Sequence, residues 1–136
     1  MNSAQNLIYA VIQVVHNYGA IAVVGGSLMG FWLHEKSTRK KLAFLTLLGW
    51  MTQVASGATF GMATFYYHHQ LPDISGIAIV ALGIKMLCAT LGILILAIYL
   101  WRSEHWAEQG RNTVWITSST LAISALSSAA FLRWFS

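Results

Sequence analysis

Four long apolar stretches, parted by three short polar connections, leave this chain few ways to fold. They run over residues 7–33, 42–67, 75–101 and 113–134. A helix needs about 20 apolar residues to cross a hydrocarbon core about 30 Å thick, and each stretch is long enough. Composition agrees: 57% of residues are hydrophobic and 9% charged, whereas a soluble domain carries about 25% charged residues. There is too little charge to clothe a surface facing water. The expected fold is all-α: an integral membrane four-helix up-down bundle, one domain over residues 1–136, with no room for a soluble domain. A cleaved signal peptide needs a basic start and a short apolar core. Residues Met1 to Asn6 carry no basic side chain and the first stretch is too long, so it is expected to be a retained helix.

The net charge of +4 is informative through its placement. Lys36, Arg39, Lys40 and Lys41 lie in the first connection, and Arg102 and Arg111 in the third. The amino-terminal segment and the second connection, residues 68–74, have no Lys or Arg. Basic residues collect on the cytoplasmic side. Connections one and three are therefore expected inside, with both termini and connection two on the outer, periplasmic side of a cell inner (plasma) membrane. The basic residues are a topology signal, not a nucleic-acid surface. Trp32, Trp101, Trp106 and Trp115 on one side, and Trp134, Tyr66 and Tyr67 on the other, are expected in the two interfacial belts. The lone Cys88 excludes an intrachain disulfide.

Helices in lipid associate through small residues and interhelical hydrogen bonds. Each stretch carries one such stripe: Gly19, Val23, Gly26 and Gly30; Gly49, Gln53, Gly57 and Gly61; Ala78, Ala81, Lys85, Ala89 and Gly92; Thr117, Thr120, Ser124 and Ser127. Short connections make neighbours antiparallel. Packing accounts for most of these stripes.

Packing does not account for His16 and Lys85. An ionisable residue within a span costs roughly 2.5–3.5 kcal/mol when charged, and it usually faces inward, paired and functional. His16 lies nine residues past Leu7 and Lys85 ten past Ser75, which at about 1.5 Å per residue sets them about 14 and about 15 Å deep. Both should reach the same layer. The small residues beside each leave room for something large and flat. The four acids, Glu35, Asp73, Glu104 and Glu108, all lie in connections, so a ligand carboxylate is the expected partner of Lys85. The bland alternatives are a histidine bonded across the bundle and a lysine that snorkels. Asn17 and Gln53 are placed to bond across helices. His68 and His69 are adjacent, a poor chelate, and read as interfacial. His34 and His105 read as solvated.

The run Val15-His16-Asn17-Tyr18-Gly19-Ala20-Ile21-Ala22-Val23-Val24-Gly25-Gly26 resembles the first helix of the CopD-like membrane superfamily. There a histidine is often followed, about nine or ten residues on, by a glycine or glycine pair. The HemJ-type protoporphyrinogen oxidases are related small four-helix proteins with a first-helix histidine, a later intramembrane lysine and bound haem b. His16 matches the first and Lys85, in Gly83-Ile84-Lys85-Met86-Leu87, the second. Ile84 stands where that lysine is often preceded by arginine. The resemblance covers roughly residues 10 to 100.

It implies a haem b protein with a redox or electron-transfer role. His16 would be the iron ligand, Lys85 would hold a propionate or act as second axial ligand, and Gly19 and Gly26 would line the cofactor. Three other readings stand beside it. One is porphyrinogen oxidation at the same site. Another is copper handling, with His16, Met29, Met86 and Cys88 as candidate ligands. The last is a non-catalytic accessory subunit of a larger membrane complex. A homodimer also suits a chain this small.

Overall fold

The four apolar stretches do become helices, and the first, second and fourth helices begin before their apolar residues do. The computed structural model describes residues 3–70 and 72–135; Leu71 and the outermost ends of the expected domain lie outside the described residues. Its elements are α1 (Ser3–Trp32), α2 (Lys36–His68), α3 (Ile77–Arg102) and α4 (Glu108–Phe135), with one 3-10 turn, Ser103–His105, between α3 and α4. The described residues contain no strand.

Capping sets the helix ends. The Glu35 carboxylate accepts the amides of Ser37 at 3.2 Å and Thr38 at 3.0 Å, and also the Thr38 hydroxyl. These are the amides that a helix start leaves without partners. The basic run Lys36–Lys41 therefore forms the first turns of α2 and is not a connection. At the other end His69 adopts φ 53°, and its N–H returns to the Phe65 carbonyl at 2.8 Å. This is the left-handed stop common at helix C-termini.

α1 packs on α2 and α4, and α3 packs on the same two helices. Glycines set how near the axes come. A side chain at Gly49 would strike the α1 backbone at Val23 N (2.9 Å) and Gly19 O (3.0 Å). Gly92 lies flat under the Trp50 indole and Gly30 under that of Trp115. Both indoles are fully buried, and Tyr99 meets Trp115 edge-on with ring centroids 5.5 Å apart. Trp115 is thus a core residue and not part of an interfacial belt. The glycine opposite it leaves a ring-sized gap that only a large flat side chain fills. Trp32, Trp101 and Trp134 are exposed, as the belt requires.

The outside is apolar on every helix. Leu7, Tyr18, Phe44, Met62, Leu94 and Leu126 are all exposed. Three helices, α1, α3 with its 3-10 extension, and α4, are long and apolar enough to cross a membrane. α2 is the longest at 33 residues but more polar. Its Arg39, Thr46, Gln53 and Ser56 are buried against the other helices.

Candidate functional site

The two residues that the sequence marks as costly meet in the structure. Lys85 Nζ on α3 lies 3.0 Å from His16 Nε2 on α1. The other ring nitrogen, Nδ1, lies 2.7 Å from Ser56 Oγ on α2. Ser56 also donates to the Thr52 carbonyl at 2.5 Å. With the serine hydrogen committed to that carbonyl, Oγ accepts from Nδ1–H, and Nε2 is the acceptor that faces the lysine. Donors and acceptors then run in one direction: Lys85 to His16 to Ser56 to Thr52. Three helices contribute, and His16 and Lys85 are half-buried while Ser56 is buried.

Local packing explains how α2 reaches the imidazole. Gly19 lies one turn from His16 on α1, and a Cβ there would come 3.0 Å from Thr52 Cγ2 and 3.1 Å from Gln53 Nε2. The missing side chain lets α2 approach until Gln53 donates to the His16 carbonyl at 2.5 Å. Gln53 thus bonds across helices, as its sequence position suggests. Asn17 does not. It accepts from Gln13 at 2.8 Å along the same helix, on an exposed face. Ser56 is the member of the site that sequence reasoning missed.

Two further polar pairs lie toward one end of the α1–α2 pair. Tyr9 donates to Thr64 Oγ1 at 3.2 Å, and the Gln5 amide donates to His68 Nε2 at 3.2 Å. His68 is therefore tied to α1, and His69 serves as the helix stop.

The space expected beside His16 is taken in part; an open groove of about 300 Å³, lined by Val15, Gly19, Gly49 and Thr52 among others, remains on the α1–α2 face. α2 covers Gly19 through Thr52 and Gln53, and covers Gly26 through the Thr46 hydroxyl. On the other side Trp50 fills the gap at Gly92. The small residues thus serve helix crossing. Imidazole is a competent iron ligand, but here it touches the Lys85 amine at 3.0 Å, and a porphyrin does not fit between them in this arrangement. Of the candidate copper ligands, Met29 and Met86 are exposed and Cys88 is buried. Among the described residues no group of three or more His, Cys, Asp or Glu side chains is placed to hold a metal ion.

No protein-family model, no curated protein and no solved structure matches the chain.

Proposed function

We propose that this chain is a multi-pass inner-membrane protein, an up-down bundle of four spanning helices with both termini outside. In this reading its His16–Lys85 pair moves protons within the bilayer in support of redox or transport chemistry. The observation that carries the reading is the directed chain from Lys85 through His16 to Ser56, built from three helices. Ionisable groups in a span are rare, face the bundle interior, and mark proton relays or ion pathways. The pair has the chemistry for it. A proton passing from the Lys85 ammonium to His16 Nε2 leaves a neutral amine and an imidazolium whose Nδ1–H already points at Ser56. None of the four acids of the chain lies near mid-span to hold that charge in place. Tyr9 with Thr64 and Gln5 with His68 supply polar groups between the pair and one membrane surface.

The test is proton entry into vesicles that hold the purified protein and a trapped pH-sensitive dye, driven by a potassium diffusion potential. Entry should exceed that of protein-free vesicles and be abolished by Lys85→Met and by His16→Ala. Equal rates for wild type and Lys85→Met would sink the reading.

A second reading, haem b binding with an electron-transfer role, keeps one specific observation in its favour: the two residues that carry the HemJ resemblance meet at one depth. It requires His16 and Lys85 to part. A reduced-minus-oxidised visible spectrum of the purified protein, recorded beside His16→Ala, decides it. A haem b band lost in the variant supports this reading, and a colourless wild type made with ample haem removes it.

A further inference from the structure

A second polar cluster lies at the opposite end of the bundle from His68, and the His16–Lys85 pair has no part in it. Arg39, in the first turns of α2, is 1% exposed. Its Nε donates to the carbonyls of Gly30 at 3.0 Å and Leu33 at 2.7 Å, the last turn of α1 and its exit. Its Nη1 donates to Asn112 at 2.7 Å and Glu108 at 3.2 Å on α4. Nη2 makes no side-chain hydrogen bond to a described residue and is not one of the buried unpartnered atoms, so it opens to the surface. A guanidinium has five N–H donors in a planar fork, so two of the five are left on this buried side chain.

Arg39 also lines an open cavity of about 340 Å³ at the surface, together with Phe31, Trp32, His34, Asn112 and Ile116. The lining is divided. Arg39, His34 and Asn112 supply donors, while Phe31, Trp32 and Ile116 are exposed apolar side chains at the bundle surface. The His34 ring is oriented by its own bond, from Nδ1 to the Trp32 carbonyl at 3.0 Å. Lys36, Lys40 and Lys41 are exposed nearby in the sequence. Three acids lie at this end: Glu108 is shared with Arg111, which donates to it at 2.5 Å, Glu104 pairs with Lys40 at 2.6 Å, and Glu35 caps α2, against six Lys and Arg residues. The local balance stays positive.

We infer that this cavity holds the phosphate of an anionic phospholipid, with Arg39 Nη2 as the donor at its floor and the Phe31–Trp32–Ile116 wall against the first part of the acyl chains. Three arguments favour lipid over a soluble anion. The cavity lies where an exposed tryptophan and a basic run mark a membrane interface. Its mouth is apolar, which suits a ligand with a hydrocarbon tail. Basic pockets between spanning helices on the cytoplasmic side are suited to anionic headgroups. The inference holds whether or not the His16–Lys85 pair moves protons.

The experiment uses the whole protein in mild detergent, with dioleoyl phosphatidylglycerol, dioleoyl phosphatidylcholine or inorganic phosphate added in turn. Bound lipid is counted by native mass spectrometry and the unfolding midpoint is followed. Phosphatidylglycerol should give a one-to-one adduct and raise the midpoint, with phosphatidylcholine and phosphate having little effect. Ile116→Trp puts a larger side chain in the cavity wall and leaves every residue that bonds Arg39 unchanged. It should unfold like wild type in detergent alone and weaken phosphatidylglycerol binding by roughly tenfold or more. Arg39→Gln should weaken it as well; if that variant does not fold, Ile116→Trp decides. Equal response to the two lipids, or wild-type binding by Ile116→Trp, overturns the inference. Saturation by inorganic phosphate at the same concentrations reassigns the site to a free anion and overturns the lipid.

Discussion

His16 and Lys85 are legible in the sequence because lipid makes them expensive, and expense is what a reader of one sequence can see. Ser56 costs little wherever it lies, and the chain is rich in serine and threonine, so nothing singled it out before the helices were placed. Asn17 misled for a related reason. It neighbours His16 in sequence, but on a helix the next residue is turned about 100° away, and it lands on the exposed face with Gln13. The chain of hydrogen bonds makes a prediction about stability. Ser56→Ala leaves His16 Nδ1–H without its partner and should lower stability by about 0.5–1.5 kcal/mol, measured by unfolding in mixed micelles. Lys85→Met removes an amine from an apolar layer and keeps its length, so it should raise the unfolding midpoint even as it stops proton entry. A midpoint lowered by Lys85→Met would mean that the lysine is there for structure. Outside the spans, Glu35 makes a separate prediction. The Thr38 hydroxyl, followed by the Thr38 and Ser37 amides, holds its carboxyl below the usual carboxylate range. A carboxyl lowered on folding contributes stability that is present above its unfolded value and lost as the pH falls through its folded one. Amide exchange at Lys36–Arg39 should therefore speed up, beyond its intrinsic change, as the pH drops below the carboxylate range. Glu35→Gln should flatten that dependence, and identical profiles for the two proteins would remove the cap from the account of α2.

At the scale of the element, the apolar runs told where helices enter lipid and left open where they start. Hydropathy reports the solvent, whereas caps report where backbone bonding begins. That is why α2 starts at Lys36, six residues ahead of its apolar stretch, and α4 at Glu108, five ahead. The glycines of the first stripe, Gly19, Gly26 and Gly30, were legible as contact positions, but their partners were not, because a missing side chain says nothing about what fills the gap. The structure separates glycines that touch from glycines that do not. Gly92 is overlaid by Trp50, whereas Gly57 has nothing within 4 Å of a built Cβ. Gly92→Leu should drive α3 away from the buried indole and cost at least the 1–3 kcal/mol, roughly, of an overpacked core. Gly57→Ala should be tolerated or stabilise, since alanine is favoured over glycine within a helix by about 1 kcal/mol. Unfolding midpoints of the two variants, measured side by side, check the contrast. Equal loss from both would mean that the α2–α3 crossing is closer near Gly57 than the structure has it.

For the whole molecule, the decisive question is whether α2 crosses the membrane with its neighbours. By apolar length alone three helices qualify, and α2 falls behind because it carries much of the polar interior: Arg39, Thr46, Gln53 and Ser56 are all buried. Its outward residues tell another story. Phe44, Leu48, Met51, Val54, Met62 and Phe65 are exposed, an apolar face that no soluble protein leaves uncovered at this length. A helix flanked by two others need only be apolar where it meets lipid, so mean hydropathy undervalues it. If α2 crosses, its two ends lie on opposite sides. The basic residues Lys36, Arg39, Lys40 and Lys41 at one end, against none in residues 68–74 at the other, then set the first end in the cytoplasm. The check is accessibility in intact cells of single cysteines at each end, made in a Cys88→Ala background. Asp73→Cys should react with a membrane-impermeant maleimide before lysis, and Lys36→Cys only after it. Reaction of both before lysis, or of neither, would put the ends of α2 on one side. His16, Ser56 and Lys85 would then no longer share a layer inside the bilayer, and proton movement between them would lose its setting.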